Sequence, residues 1–97
     1  MYYVYILISL KDGKLYTGST PDLKARFVKH CNGFVKATKY RLPVKLIYYE
    51  TYESELDARR REIYLKGGKA REELKIQLKD TFLLNKYMLG YDTLYRL

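Results

Sequence analysis

The chain opens with Tyr2 to Ile8, seven consecutive aromatic, β-branched or aliphatic residues, followed by Lys11-Asp12-Gly13-Lys14 and then Leu15-Tyr16-Thr17. Two such runs around an Asp-Gly turn signal predict a β-hairpin. The hairpin restricts the fold strongly, because 97 residues make one domain with one core. With 47% hydrophobic and 31% charged residues, the composition is that of a soluble globular domain rather than a disordered or fibrous chain.

Thr20-Pro21-Asp22 offers a capping hydroxyl, a proline at the first helical position and an acid in the first turn, and Leu23, Phe27 and Cys31 recur at i, i+4. A first helix is predicted over about 21–31, stopping near Asn32-Gly33. Residues 33–42 show no clean period and read as a loop. Pro43 then introduces a third strand, Val44 to Tyr49, rich in β-branched and aromatic residues. Ser54 and Asp57 suit a reciprocal cap on a second helix, where Leu56, Ala58, Ile63 and Leu65 have helical spacing up to Lys66 and Gly67-Gly68 marks the end. Ala70 to Leu78 predicts a third, strongly charged helix. The order ββαβαα predicts an α+β fold, a small three-stranded antiparallel sheet flanked by helices, over residues 1–79. Residues 80–97 include Phe82, Leu83, Leu84, Tyr87, Met88, Leu89, Tyr91 and Tyr95. This apolar extension is expected to pack on the domain as a short helix or to cover a protein partner.

Nineteen Lys and Arg against eleven Asp and Glu give a net charge of +8, which on so short a chain attracts polyanions, nucleic acid first among them. From Leu23 to Tyr49 there are seven basic residues and no acidic one. Lys24, Lys29, Lys36, Lys39, Arg41 and Lys45 form the candidate nucleic-acid footprint, against the plainer reading of a basic surface kept for solubility. The single cysteine, Cys31, has no disulfide partner, and with His30 it falls short of a four-ligand zinc site. The opening residues lack a basic n-region and meet Lys11 and Asp12 too soon for a signal peptide or a membrane span. A cytoplasmic protein with no membrane association is expected.

Tyr5 and Tyr16 lie on either side of the predicted hairpin, where cross-strand packing explains tyrosines as readily as chemistry does. Arg26 and His30 are four apart, hence neighbours on one helix face, flanking Leu23 and Phe27. A guanidinium matches phosphate and an imidazole can move a proton, although a backbone-binding cation and a helix-surface histidine describe the same two residues. Glu62 sits four before Lys66, a spacing that makes a surface pair worth about 0.3–0.5 kcal/mol. With Ala58 leaving room one turn earlier, the same carboxylate could hold magnesium together with phosphate oxygens and waters.

The ordered set Tyr3-Val4-Tyr5, Tyr16-Thr17-Gly18, Leu23-Lys24-Ala25-Arg26 with His30, and Ala58-Arg59-Arg60-Arg61-Glu62 with Lys66 resembles the GIY-YIG nuclease superfamily. The similarity is to its small stand-alone members, which resemble the catalytic component of the structure-specific endonuclease and the N-terminal domain of excinuclease C. Coverage is about residues 1–79. Tyr3 stands where the family name has glycine, and Val4 and Thr17 replace its isoleucines. The resemblance implies a DNA endonuclease, of the kind that serves DNA repair, hydrolysing phosphodiester bonds with one Mg2+ (or Mn2+) held by Glu62 and no nucleotide cofactor. It implies that Tyr5 takes or relays the proton of an attacking water, that Arg26 neutralises phosphate charge, and that Tyr16 and His30 position the water and the proton network. No base-reading motif is present, so recognition of DNA structure rather than sequence is expected. The alternatives are a non-catalytic nucleic-acid-binding protein and a subunit that needs a protein partner.

Overall fold

The opening apolar run forms strand β1 (Tyr2–Ser9) in a computed structural model that describes residues 1–85. β2 (Leu15–Thr20) follows, then helix α1 (Leu23–Cys31), a 3-10 turn at Lys39–Arg41 and β3 (Val44–Tyr52). Helices α2 (Glu55–Leu65), α3 (Gly68–Gln77) and α4 (Lys79–Asn85) complete the described residues. The sheet is antiparallel with the order β2-β1-β3, so the fold is the α+β arrangement expected from the sequence. Of the apolar extension expected over 80–97, residues 80–85 lie in α4, with Phe82 packed against the core, and the remainder lies outside the described residues. None of the described helices is long and apolar enough to cross a membrane.

β1 is central because it can be buried on both faces, Val4 through Ser9 being no more than 1% exposed. Alternation along the strand divides the core in two. Val4 and Ile6 point to one face and pack with Ala58, Leu65, Ala70 and Leu74 of α2 and α3. Tyr5 and Leu7 point to the other and pack with Tyr16, Leu23, Phe27 and Leu46. The helices therefore cover opposite faces, α1 on one and the α2–α3 pair on the other.

Three local expectations are corrected. The hairpin loop is longer than its Asp-Gly pair: Gly13 at φ 72° donates to the Ser9 carbonyl, and Ser9 Oγ accepts from the Lys11 and Asp12 N–H groups. The cap of α1 is Asp22, not Thr20, with its carboxylate accepting from Ala25 N–H; Thr20 instead accepts from Asp22 N–H. In α2 the Ser54 cap holds, but Leu56 and Ile63 are exposed, and the inward stripe is Ala58, Glu62, Leu65. Residues at i, i+4 and i+7 share a helix face, which turns Glu62 toward the sheet.

A second anchor sets α2 on β3. Glu50 accepts two bonds from the Arg61 guanidinium, at 2.9 and 3.1 Å, and one each from the hydroxyls of Tyr48 (2.7 Å) and Tyr52 (2.6 Å). Burial pushes the Glu50 carboxyl up, but the bonds from Arg61, Tyr52 and Tyr48 together carry it below its usual range. A half-buried carboxylate with every lone pair engaged avoids the penalty of an unpaired buried charge.

Candidate active site

Four of the five residues expected to do chemistry converge on the α1 face. The Tyr5 hydroxyl, on the central strand, lies 2.8 Å from His30 Nε2, and His30 Nδ1 lies 2.7 Å from Thr38 Oγ1. The Tyr16 ring packs edge-on against the imidazole at 4.9 Å between centroids and tilted against Tyr5 at 6.1 Å. The Arg26 guanidinium stands beside the hydroxyls of Tyr5 and Tyr16 and is held more firmly protonated by them. Tyr5, His30 and Thr38 are each no more than 1% exposed. His30 is thus a buried residue of the cluster, not one of the helix surface.

The tautomer of His30 decides the direction of both contacts. Beside Arg26, whose guanidinium only donates, the Tyr5 oxygen is placed as an acceptor, an arrangement that suits the tautomer in which Tyr5 gives its proton to His30 Nε2. A neutral imidazole that accepts at Nε2 carries its proton on Nδ1, and that proton goes to Thr38 Oγ1. The protonation states agree. Burial, against the counter-effect of Arg26, pushes the Tyr5 phenol up to about 12. Burial and the neighbouring Arg26 charge push His30 down to about 4, so a neutral phenol faces a neutral imidazole at pH 7.

Two residues outside the sequence expectations complete this half of the site. Thr38 follows the helix in a loop without periodicity, and nothing in its neighbourhood marks it in the sequence. Its N–H bonds the Val35 carbonyl and its carbonyl accepts from Arg41 N–H, which fixes the hydroxyl inward. Gly18 lies opposite Tyr5 in the β1–β2 register, and a Cβ there would stand 2.5 Å from the Tyr5 hydroxyl oxygen and 3.0 Å from Tyr16 Cε1. Only glycine leaves room for the phenol. The Tyr16-Thr17-Gly18 segment carries the signal for it, but the need for glycine shows only when the phenol across the strand is in place.

Glu62 approaches from the opposite face. One residue beyond Gly18, Ser19 faces the α2 side and donates to Glu62 Oε1 at 2.6 Å, while Lys66 Nζ lies 2.9 Å from Oε2. Burial raises the Glu62 carboxyl, but the Ser19 hydroxyl and the Lys66 ammonium outweigh it and keep it below its usual range, hence ionised. The two halves meet at β2, an edge strand, rather than in one enclosed pocket. Among the described residues no group of three or more His, Cys, Asp or Glu gathers to hold a metal. A single ionised carboxylate still fits a hard octahedral cation that keeps waters and phosphate oxygens as its other ligands. Lys66, half exposed at 52% on a flexible stem, is able to withdraw from it.

The basic residues differ among themselves. Lys24, Lys29, Lys36 and Lys39 are exposed. Arg41 is not a free cation: its Nε lies 3.3 Å from Asp12 Oδ2, with the side chain 24% exposed. Lys45 is half-buried on β3.

Residues 1–75 match the family described as the GIY-YIG catalytic domain. A UPF0213 protein of Staphylococcus saprophyticus is 41% identical over 76 residues, which span 77% of this chain and 92% of the relative. A UPF0213 protein of Clostridium perfringens is 47% identical over 79 residues, 80% of this chain and 82% of the relative. The solution NMR structure of the UPF0213 protein BH0048 from Bacillus halodurans is 38% identical and superposes with a TM-score of 0.50, covering 81% of this chain and 86% of that one. With the two strand tyrosines, the helix arginine and the glutamate in their expected order on a three-stranded antiparallel sheet, the chain belongs to the GIY-YIG family of nucleases, alongside the UPF0213 proteins.

Proposed function

We propose that the protein is a divalent-metal-dependent endonuclease that hydrolyses DNA phosphodiester bonds and selects DNA by shape rather than sequence. The observation that carries this reading is the buried chain from Tyr5 through His30 to Thr38 with Arg26 beside it, where Gly18 opposite Tyr5 is followed by the Ser19 that holds Glu62. A phosphodiester laid across the edge of β2 would meet both halves.

Arg26 binds and orients the phosphate and offsets the charge that grows on it in the transition state. Tyr5 at about 12 and His30 at about 4 are each mismatched as a free base at neutral pH, so they act as a conduit. As the attacking water gives a proton to the Tyr5 oxygen, Tyr5 passes its own proton to His30 Nε2. Thr38 keeps the ring in the tautomer that accepts there. A bound phosphate also offsets the Arg26 charge that disfavours the imidazolium, so substrate raises the proton affinity of His30. Tyr16 holds the imidazole edge and presents its hydroxyl to the water. Glu62, with Ser19 orienting its carboxylate, would hold Mg2+ or Mn2+. Such a cation supplies Lewis acidity toward the phosphate and makes the attacking water more acidic.

The test is cleavage of labelled single-stranded, duplex, flap and branched DNA with magnesium or manganese, running wild type beside Glu62→Gln and Tyr5→Phe. Metal-dependent cutting that falls by at least about 100-fold in each variant, the lower range for a lost proton-transfer group, is expected. Cutting that survives Glu62→Gln overturns the assignment. DNA binding without cutting by wild type leaves a non-catalytic binder.

A further inference from the structure

Beside the phenol cluster, on the same face of the sheet, an open cleft of about 530 Å³ runs between β1, β3 and the start of α1. Tyr3 and Tyr49 form one wall, their rings tilted at 60° with centroids 6.1 Å apart. Leu23, Phe27 and Leu46 line the rest, and Lys24 stands at the rim. The other charged group of the lining, Asp22, is exposed and turns its Oδ1 to the Ala25 N–H as the cap of α1.

The cleft lies on the same sheet face as the phenol cluster and is lined by its sequence and register neighbours. Tyr49 is the direct register partner of Tyr5 on β3 and Tyr3 precedes Tyr5 by two residues on β1, so all three side chains share one face. The separation along β1 is about 7 Å, a length that one nucleotide's backbone spans. Phe27 follows Arg26 directly in α1. An anion held at Arg26 and Tyr5 thus has an aromatic, partly exposed cleft one step away, with a lysine placed for the next phosphate. Its volume lies in the range of small-ligand pockets. Tyr49 remains 52% exposed, the condition of a ring able to receive a planar partner.

We propose that this cleft binds an unpaired nucleobase of the nucleotide adjacent to the scissile phosphate, stacked on Tyr49 and Tyr3. The inference deepens the nuclease reading and rests on it: a base enters only when it has left the duplex stack, so single strands, flaps and branch points are favoured over continuous duplex.

The test is binding without divalent metal, which separates it from catalysis. A labelled oligothymidylate is compared with an abasic oligonucleotide of equal length, and therefore of equal phosphate charge. Wild type is expected to prefer the thymidylate by about 5- to 150-fold, the worth of one stacked base. Tyr49→Ala should remove that preference while binding the abasic strand as wild type does. Tyr3→Phe should keep it, and so should Tyr40→Ala, which alters an exposed tyrosine away from the cleft. Equal binding of both strands by wild type overturns the proposal, as does a preference that survives Tyr49→Ala. If the preference behaves as expected but no DNA is cut with metal present, the nuclease reading fails and the base site stands.

Discussion

At the scale of single residues, the site depends on what Gly18 and His30 permit. Gly18→Ala would drive a methyl group to 2.5 Å from a phenol oxygen that is fixed on the central strand, so the Tyr5 ring has to give way and its bond to His30 is lost. Misplacing a reacting group by about 1 Å costs about 100-fold in rate, and overpacking costs about 1–3 kcal/mol. Single-turnover cleavage and urea unfolding of Gly18→Ala should show both, and wild-type rates in the variant would remove Tyr5 from the mechanism. His30 is the only histidine in the chain, so its titration is read from one NMR signal. That signal should stay flat around neutral pH and reach its titration midpoint only near pH 4, where burial and Arg26 have moved it. Because the folded value lies below the unfolded 6.5, the stability gained by keeping the ring neutral is complete above about pH 6.5. It is lost as pH falls toward 4, by at most about 3 kcal/mol. Thr38→Val should abolish the Nδ1–H tautomer preference and slow cleavage without changing KM, and Thr38→Ser should restore both. An Nε2–H imidazole in wild type would sink the assigned direction of the relay, and an unchanged tautomer in Thr38→Val would remove Thr38 from it.

At the scale of elements, what is legible in the sequence follows from periodicity, and what is not depends on distant partners. The hairpin, α1, β3 and the capped start of α2 are where local pattern puts them, because alternating or i, i+4 apolar residues need only a core to face. The cap of α1 falls to Asp22 rather than Thr20, since two hydroxyl or carboxylate groups compete within three residues and the strand continues to Thr20. His30 has the sequence context of a surface residue because the group that buries it, Thr38, lies in the aperiodic loop. The spacing of Glu62 and Lys66 reads as a surface pair, and that pair exists, but the Ser19 bond spans 43 residues and has no local signature. The Glu50–Arg61 clamp is equally hidden, yet it sets the position of α2 one residue before Glu62. Arg61→Met should cost about 1–3 kcal/mol in urea unfolding, because it removes charge-assisted bonds and leaves a half-buried carboxylate to two tyrosines. Amide exchange should quicken along 55–65 in the same variant. Arg61→Lys should recover only part of the loss, since an ammonium cannot reproduce the forked contact. Full stability in Arg61→Met would mean that apolar contacts of Ala58 and Leu65 alone hold the helix.

At the scale of the whole molecule, the proposed function has a charge of +8 bring DNA to the sheet edge, and the surroundings of each cation decide which of them are available for it. Lys36 and Lys39 flank Thr38, whose side chain is locked to His30, so an exposed basic loop is tethered to the proposed proton relay. Arg41, only two residues on, is instead bound to Asp12 and ties the 3-10 turn to the hairpin loop. Counterion release converts this difference into a measurement, because each lost phosphate contact flattens the slope of log affinity against log salt by about 0.9 for duplex and about 0.7 for single strands. Lys36→Gln with Lys39→Gln should therefore flatten the slope by about 1.8 on duplex and about 1.4 on single-stranded DNA, whatever the sequence, because backbone contacts position without reading bases. Arg41→Gln should leave the slope near its wild-type value and lower the unfolding midpoint, since its guanidinium serves the fold. A slope flattened by Arg41→Gln and untouched by the lysine pair would move the DNA path away from the Thr38 loop, toward the hairpin.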